Sequence, residues 1–565
     1  MWRELPLTQR NEYKRLILAF AGLTEMFAQK ADDGSTPAPV INSKFQETVF
    51  QRSFNATAED IGNTSYDAAL SVRHEGAEDK YLVGIKTFGI NSGYQKVAQF
   101  KANLNEWSNL TALAERNAKD ENGEYKEKNE IDRCNKDVYL KLALQIAQLR
   151  NSRIDSSVAN IRGFRVDAGD DNVHSVYHVL MPSPKDEDPR IYVGETSYDK
   201  IDIANISIDG CTSKSHPANF VFKDGNHTYR YTSADSQLLM DFQNKDIVVE
   251  HWNVIYADDA YAIFSKIAEA VLGEEKQEEV AKESPNVALL PQKQEITEEY
   301  FWQIVNEDGE VELFSGFNSF YGVGSKLGKD SRKQRIKKIS EEYANSVPKQ
   351  TLWSVVEGLK QYLLVPSSSM DEKLQKVELR KRILSLVNEC DDAGFRADVT
   401  KLLFRPLDEM YIPVPDAKNF HKQHPNFFSE GAGSLEPGTN RLKLPKEKRR
   451  FNLVFEPSGD TLPAYITQDN GKAIESYEKQ TYLGQWILRG IFQLDEYEPL
   501  TKKRLDEMGI NTLRLYKVKN SDDVHIEFVW KETEEAISYR YPESIESFWD
   551  MGMVAEEGLL DKYNK

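Results

Sequence analysis

The sequence predicts a multidomain α+β protein with a mixed α/β N-terminal region, a mainly helical middle region and a C-terminal unit of short strands. Three observations lead there. The chain has 565 residues, several times the roughly 100–200 that a single domain occupies. A charged, proline-containing stretch over residues 273–295 divides it, as an interdomain linker does. The hydrophobic pattern also changes from mixed helical and alternating runs, through helical spacing, to short runs broken by turn residues. The boundaries implied are 1–272, 273–295, 296–403 and 404–565.

Hydrophobic residues make up 40% of the chain and charged residues 29%, a balance that supports packed cores rather than disorder. No apolar run approaches the roughly 20 residues needed to span a bilayer, and Arg10, Glu12, Lys14 and Arg15 interrupt any secretory signal at the start. A cytoplasmic protein without a membrane partner is expected. Cys134, Cys211 and Cys390 are far apart and form no CxxC pair, so buried reduced thiols are expected rather than disulfides or a zinc site. A net charge of -19 counts against indiscriminate coating of nucleic acid, because nonspecific affinity comes mostly from Lys and Arg. A basic cleft on an acidic exterior remains compatible with it. Basic clusters stand at residues 332–338 and 446–450, each of which also reads as a solvated face.

Along the chain, helical spacing covers residues 11–29. Strands are expected at 66–72 and 80–88 with a polar turn between them, a long helix at 95–118 and another at 138–151. Short alternating runs at 176–180 and 191–193 read as strands of an appended sheet. In the middle region Leu352, Val355, Val356, Leu359, Tyr362 and Leu363 fall on one helical face and are expected to pack inward. The last unit has turn residues at 457–460 and 469–471 and one helix over 500–508, opened by Pro499-Leu500-Thr501 and stopped by Gly509. Short strands with a single helix suit a small open barrel.

Glu47 on a helix, Asp67 on a strand and Lys86 near the end of the next strand form the outline of a metal-dependent nuclease. Phosphodiester hydrolysis needs a divalent cation to neutralise the scissile phosphate and activate water, and hard cations take carboxylate oxygens. A lysine beside them stabilises developing negative charge. These residues resemble the PD-(D/E)xK nuclease superfamily, typical of type II restriction endonucleases. The resemblance implies Asp67 as a ligand of Mg²⁺ and Lys86 as the catalytic lysine. It departs from the family two residues before the lysine, where Gly84 replaces an acid. Some branches of the superfamily take an acid from the preceding helix, which makes Glu47 the first candidate for the missing ligand; others take it from the following helix, which makes Glu106 the second. Gln95 and Gln99, expected at the start of that helix, would contact DNA or a metal-bound water, or else lie on the surface.

A second resemblance covers about 130 residues in order. Residues 405–415 (RPLDEMYIPVP), 420–421 (FH), 424–428 (HPNFF), 468–473 (QDNGKA), 483–489 (LGQWILR), 499–501 (PLT) and 505–511 are similar to the DNA-recognition domain of restriction endonucleases that use a B3-like pseudobarrel. In that family two loop-bearing arms enter the major groove, where all four base pairs are distinguishable. Gln468, Asn470 and Lys472 are of the types that read base edges, and Lys448, Arg449 and Arg450 suit phosphates. Asp469-Asn470-Gly471 reads equally as a tight hairpin turn. Trp486 and Phe427 are expected in the core. His421 and His424 lack companion ligands at metal-binding spacing and are expected to pack or cap.

Residues 321–330 approach a phosphate loop but fail it, because Val323 stands where the first glycine belongs and Asp330 replaces the metal-binding Ser or Thr; a glycine-rich turn is the better reading. No methyltransferase or motor signature is present, so a cognate DNA methyltransferase would be a separate chain. Together the two resemblances imply an N-terminal α/β PD-(D/E)xK-like nuclease core, a helical middle and a C-terminal B3-like β-pseudobarrel. They imply a type II restriction endonuclease cutting double-stranded DNA with Mg²⁺. Cutting both strands needs two active sites, hence a homodimer at least on DNA. The alternatives are a catalytically inactive sequence-specific DNA-binding protein and an antiphage interaction protein.

Overall fold

The computed structural model describes residues 1–27, 36–58, 66–74, 77–163, 173–272, 295–306, 308–321, 328–367, 369–479 and 481–531. The linker over 273–294 and the glycine-rich stretch over 322–327 lie outside the described residues. The chain divides into two compact units, one built mostly from residues up to 295 and one from residue 296 onward.

The first unit opens with α1 (Leu7–Gly22), α2 (Ser43–Phe54), β1 (Thr57–Ala58), β2 (Ala68–His74) and β3 (Ala77–Thr87). It continues through β4 (Gln95–Gln99), α3 (Leu104–Asn117), α4 (Lys128–Arg162), β5 (Val173–Pro182) and β6 (Arg190–Ser197). It closes with β7 (Ser207–Ser213), β8 (His216–Lys223), β9 (Thr228–Thr232), β10 (Gln237–Met240), β11 (Val248–Asn253) and α5 (Ala260–Leu272). Asn42 accepts the Phe45 N–H at 2.9 Å and so caps α2.

Two sheets result. The six-stranded sheet runs β1-β2-β3-β5-β6-β11; β3 and β5 are parallel and the intervening chain includes α4, the long crossover that a parallel pair requires. Tyr81, Val83 and Ile85 of β3 enter a core with Tyr13 and Ile17 of α1 and Val49, Phe50 and Phe54 of α2. Alternation then turns Gly84 and Lys86 to the other face, the side on which α4 packs. The five-stranded sheet, β4-β10-β9-β8-β7, carries Phe220, Phe222, Tyr229 and Tyr231 in its buried layer.

The expected helix over 95–118 is corrected here. Residues 95–99 pair with β10 in the second sheet, and only α3 from residue 104 is helical. A strand whose partner is about 140 positions away leaves no local signal for its pairing. Cys134 is exposed, unlike Cys211 and Cys390, which are buried as expected.

The second unit begins with β12 (Ile296–Gln303), followed by α6 (Lys329–Glu342), α7 (Lys349–Leu364), α8 (Met370–Asn388) and α9 (Ala393–Leu403). After β13 (Ile412–Pro413) and α10 (Ala417–Gln423) come β14 (Arg450–Phe455), β15 (Asp460–Thr467) and β16 (Ala473–Ser476). It then runs through α11 (Thr481–Gly484), a π-helical turn at Gln485–Ile491, α12 (Lys502–Met508), β17 (Thr512–Val518) and β18 (Val524–Val529). The expected stripe on α7 is buried. Lys337 and Lys338 of the first basic cluster pair with Glu341 and Glu342 one turn on, as on a solvated helix face.

One seven-stranded sheet, β12-β17-β18-β14-β15-β16-β13, organises the unit. β12 pairs along its length with β17, so strands of this sheet precede the helical stretch in the chain as well as follow it. The expected single helix is also joined by α10 and the 481–491 turns. Thr501 caps α12 through the Arg504 N–H at 3.2 Å, and Gly509 at φ +75° ends it. Trp486 and Phe427 are buried.

Among the described residues each unit holds one fully buried histidine. His178 stacks on Trp2 and meets the Tyr13 hydroxyl at 3.1 Å, and burial pulls its pKa down to about 3. Burial likewise pulls His421 to about 4. Between these values and the ordinary 6.5, the unfolded chain takes up a proton that the folded chain refuses. Stability is therefore complete above about pH 6.5 and falls by about 1.4 kcal/mol per pH unit per histidine below it. Thermal melts from about pH 7 to about pH 5 are expected to show this loss, and His178→Phe is expected to flatten it for the first unit. An unchanged slope in that variant contradicts the assignment.

Candidate nuclease and DNA-recognition sites

At one end of the six-stranded sheet, Asp67 precedes β2 and Lys86 lies near the end of β3. The Asp67 N–H donates to Val83 O at 2.9 Å, continuing the antiparallel ladder in which Ala68 faces Val83. This register brings the two side chains together. Lys86 Nζ stands 3.4 Å from Asp67 Oδ2, and the Ile85 N–H donates to the same oxygen at 2.6 Å. Both side chains keep about a quarter of their surface open, 25% for Lys86 and 29% for Asp67.

Helix α2 reaches the backbone of Asp67 through Gln51. Gln51 Nε2 donates to Asp67 O at 3.3 Å, and Glu47 lies one turn earlier on that flank of the helix. Its carboxylate accepts from Lys44 at 3.1 Å. Gln46 is fully buried and accepts from the Thr87 hydroxyl. Glu106 opens α3, which packs on α4 and β8 and so belongs to the second sheet. Gln95 and Gln99 sit on β4, where they donate to Gly93 O at 3.0 Å and Asp235 O at 3.1 Å; the structure does not bring them to Asp67.

Gly84 is where the sequence departed from the nuclease pattern, and tertiary packing gives a physical account. A Cβ at residue 84 would stand 2.8 Å from two ring atoms of Tyr177 and 3.2 Å from Tyr198. Those rings stack with centroids 3.9 Å apart, and the buried Arg150 guanidinium lies 4.8 Å above Tyr198 while donating to Asp199 O at 2.8 Å. No acid fits at 84 in this packing. Among the described residues no group of three or more His, Cys, Asp or Glu could hold a metal ion. A Mg²⁺ ion keeps several water ligands and needs only one or two carboxylates, so the Asp67 carboxylate beside Lys86 is compatible with one.

In the second unit, residues 468–472 connect β15 to β16, whose ladder closes at Thr467 and Ala473. This turn is held from several directions. Leu442 N–H donates to Asp469 O at 2.6 Å, Val414 N–H to Lys472 O at 2.7 Å and Gly471 N–H to Gln468 O at 3.2 Å. His421 Nε2 meets Gly471 O at 2.7 Å; since a carbonyl only accepts, Nε2 carries the proton. Both histidines fill structural positions, His424 bonding the Tyr300 hydroxyl at 2.8 Å. Gln468 Oε1 and Asn470 Oδ1 are buried and find no donor among the described residues.

The basic cluster splits. Lys448 and Arg450 are exposed, whereas Arg449 is 6% exposed and turns inward. Arg450 stacks over the Tyr477 ring with its guanidinium 3.4 Å from the centroid, and Lys446 lies 4.3 Å over Tyr465. Register places Arg450 opposite Tyr465 and Tyr465 opposite Glu475. Tyr477, two positions beyond Glu475, shares that outer face. Sequence reasoning placed Lys446 in the basic cluster but missed Tyr465 and Tyr477. Their alternation was visible, but only the β14-β15-β16 pairing shows that they share a surface.

Residues 439–519 match the family model described as the NgoFVII C-terminal B3-like DNA-binding domain. The match includes the 468–472 turn, β14 to β16 and all of β17. A restriction-enzyme type of DNA-binding domain therefore occupies the C-terminal part of this mixed α+β chain, with DNA as the partner it indicates. No curated protein matches the chain. Among the described residues no helix is long and apolar enough to cross a membrane.

Proposed function

We propose that the protein is a type II restriction endonuclease whose second unit reads a DNA sequence and whose first unit cuts it. The B3-like match over 439–519 carries the recognition half of this reading. The meeting of Asp67 and Lys86 on adjacent strands, with Glu47 on the neighbouring helix, supports the cutting half and a PD-(D/E)xK-like core. Asp67 and Glu47 would hold Mg²⁺, which when bound neutralises the scissile phosphate and acidifies the attacking water. Lys86, fixed against Asp67, presents its ammonium to the phosphate oxygens, where charge develops. Cutting both strands calls for a homodimer on DNA, and protection of the host genome calls for a separate cognate methyltransferase.

For recognition, the Gln468 and Asn470 amides suit the paired donor and acceptor of adenine, and Lys472 suits guanine. Lys448 and Arg450 suit phosphates. Replacing Gln468 or Lys472 with Ala is expected to weaken binding to a selected cognate duplex by about 1–3 kcal/mol per lost base contact, with little change on scrambled duplex. Equal weakening on both duplexes moves base reading to another loop.

The closed position at Gly84 favours a second reading, a sequence-specific DNA-binding protein that does not cut. Incubating the full chain with Mg²⁺ and phage or plasmid DNA separates the two. Discrete fragments establish cleavage; a sequence-specific shift with intact DNA establishes the binding protein.

A further inference from the structure

We propose that Arg449 and His421 are positioning residues that set the backbone of the 468–472 turn for base reading. This rests on the reading that the turn contacts DNA. Lys448, Arg449 and Arg450 look alike in sequence as a phosphate-binding run, yet the structure withdraws the middle one from solvent. Arg449 Nε donates to Leu444 O at 2.5 Å and Nη1 to Gln468 O at 2.9 Å. One planar group thus ties the chain entering β14 to the first residue of the turn. Such a two-carbonyl bridge uses the fixed fork of a guanidinium, which an ammonium centred on one nitrogen does not reproduce.

The turn needs the support. Gln468 lies at φ +63°, in the left-handed region that costs a side-chain-bearing residue roughly 1–2 kcal/mol. Its carbonyl is the one that Arg449 grips. At the other end Gly471 has φ +71°, and a Cβ there would stand 2.3 Å from His421 Nε2. The turn backbone therefore rests directly on the imidazole that donates to Gly471 O. Between these supports lie Gln468 and Asn470, whose side-chain oxygens are buried without donors among the described residues. Fixing the backbone before binding reduces the ordering that DNA contact would otherwise impose.

Arg449→Lys in the full chain is the test, because it keeps the charge and removes the bridge. Hydrogen–deuterium exchange without DNA is expected to quicken at the Gly471 and Leu442 amides while the β17–β18 ladder keeps wild-type rates. Unchanged exchange in the turn overturns the proposal, and so does uniform quickening through the ladder, which marks a general stability role. On duplexes selected from a randomised pool by the wild-type chain, Arg449→Lys is expected to lower cognate preference about tenfold with an unchanged salt slope. Arg450→Ala is expected to weaken both duplexes and reduce the slope by about one. His421→Gln, which keeps an amide donor, is expected to lose less preference than His421→Phe. Wild-type preference in Arg449→Lys together with a reduced slope in Arg449→Ala identifies a phosphate contact and overturns the proposal. If the wild-type chain selects no sequence, the DNA-recognition reading fails, and the exchange rates still decide whether Arg449 braces the turn.

Discussion

Asp67→Ala and Lys86→Ala are expected to leave a cognate duplex uncut, with rates reduced by at least about 10³-fold, while binding it as the wild type does. The separation follows from the assignment of chemistry and sequence reading to different units. Removing Asp67 takes away the carboxylate beside Lys86 and leaves that ammonium without its ion-pair partner. Removing Lys86 takes away the ammonium that stands 3.4 Å from Asp67 Oδ2. Glu47→Ala is expected to fail in the same way. Single-turnover cleavage with gel-shift controls measures all three, and cutting by either Asp67→Ala or Lys86→Ala would falsify the site. If Glu47→Ala cuts while Glu106→Ala does not, the second ligand belongs to α3.

Gly84→Ala is expected to destabilise the first unit by about 1–3 kcal/mol, because the added methyl meets the Tyr177 and Tyr198 rings in a packed layer. Reduced chain entropy in the unfolded state returns about 0.4–1 kcal/mol, so the steric effect dominates. Gly84→Glu, which writes the family's acid back into the sequence, is expected to destabilise further and to gain no cleavage. A urea midpoint equal to wild type in Gly84→Ala, or faster cutting in Gly84→Glu, shows that the tyrosines can move aside and the position is open to a ligand.

The sequence by itself determined the features whose signals are local. The β2–β3 hairpin, β5 and β6, the buried stripe of α7 and the cap and stop of α12 are each visible in side-chain periodicity or in residues with a single conformational role, such as Thr501 and Gly509. The ordered run of motifs over residues 405–511 indicated a B3-like domain, and residues 439–519 match one. Hairpin register also made the approach of Lys86 to Asp67 foreseeable, since two strands joined by a short turn leave few ways to pair.

Tertiary structure decided what depends on distant partners. Residues 95–99 became a strand because β10 supplies their ladder, and β12 joined the seven-stranded sheet because β17, more than 200 residues later, pairs with it. The absence of an acid at 84 was plain in the sequence, but its reason was not, because Tyr177 of β5 and Tyr198 just beyond β6 reach that point from distant parts of the chain. Arg449 shows the same limit most sharply. Three successive basic residues have one composition, whereas two face solvent and one is buried on the carbonyls of Leu444 and Gln468. Side-chain type records what a residue can bond to; burial and the groups brought beside it by the fold decide what it does bond to.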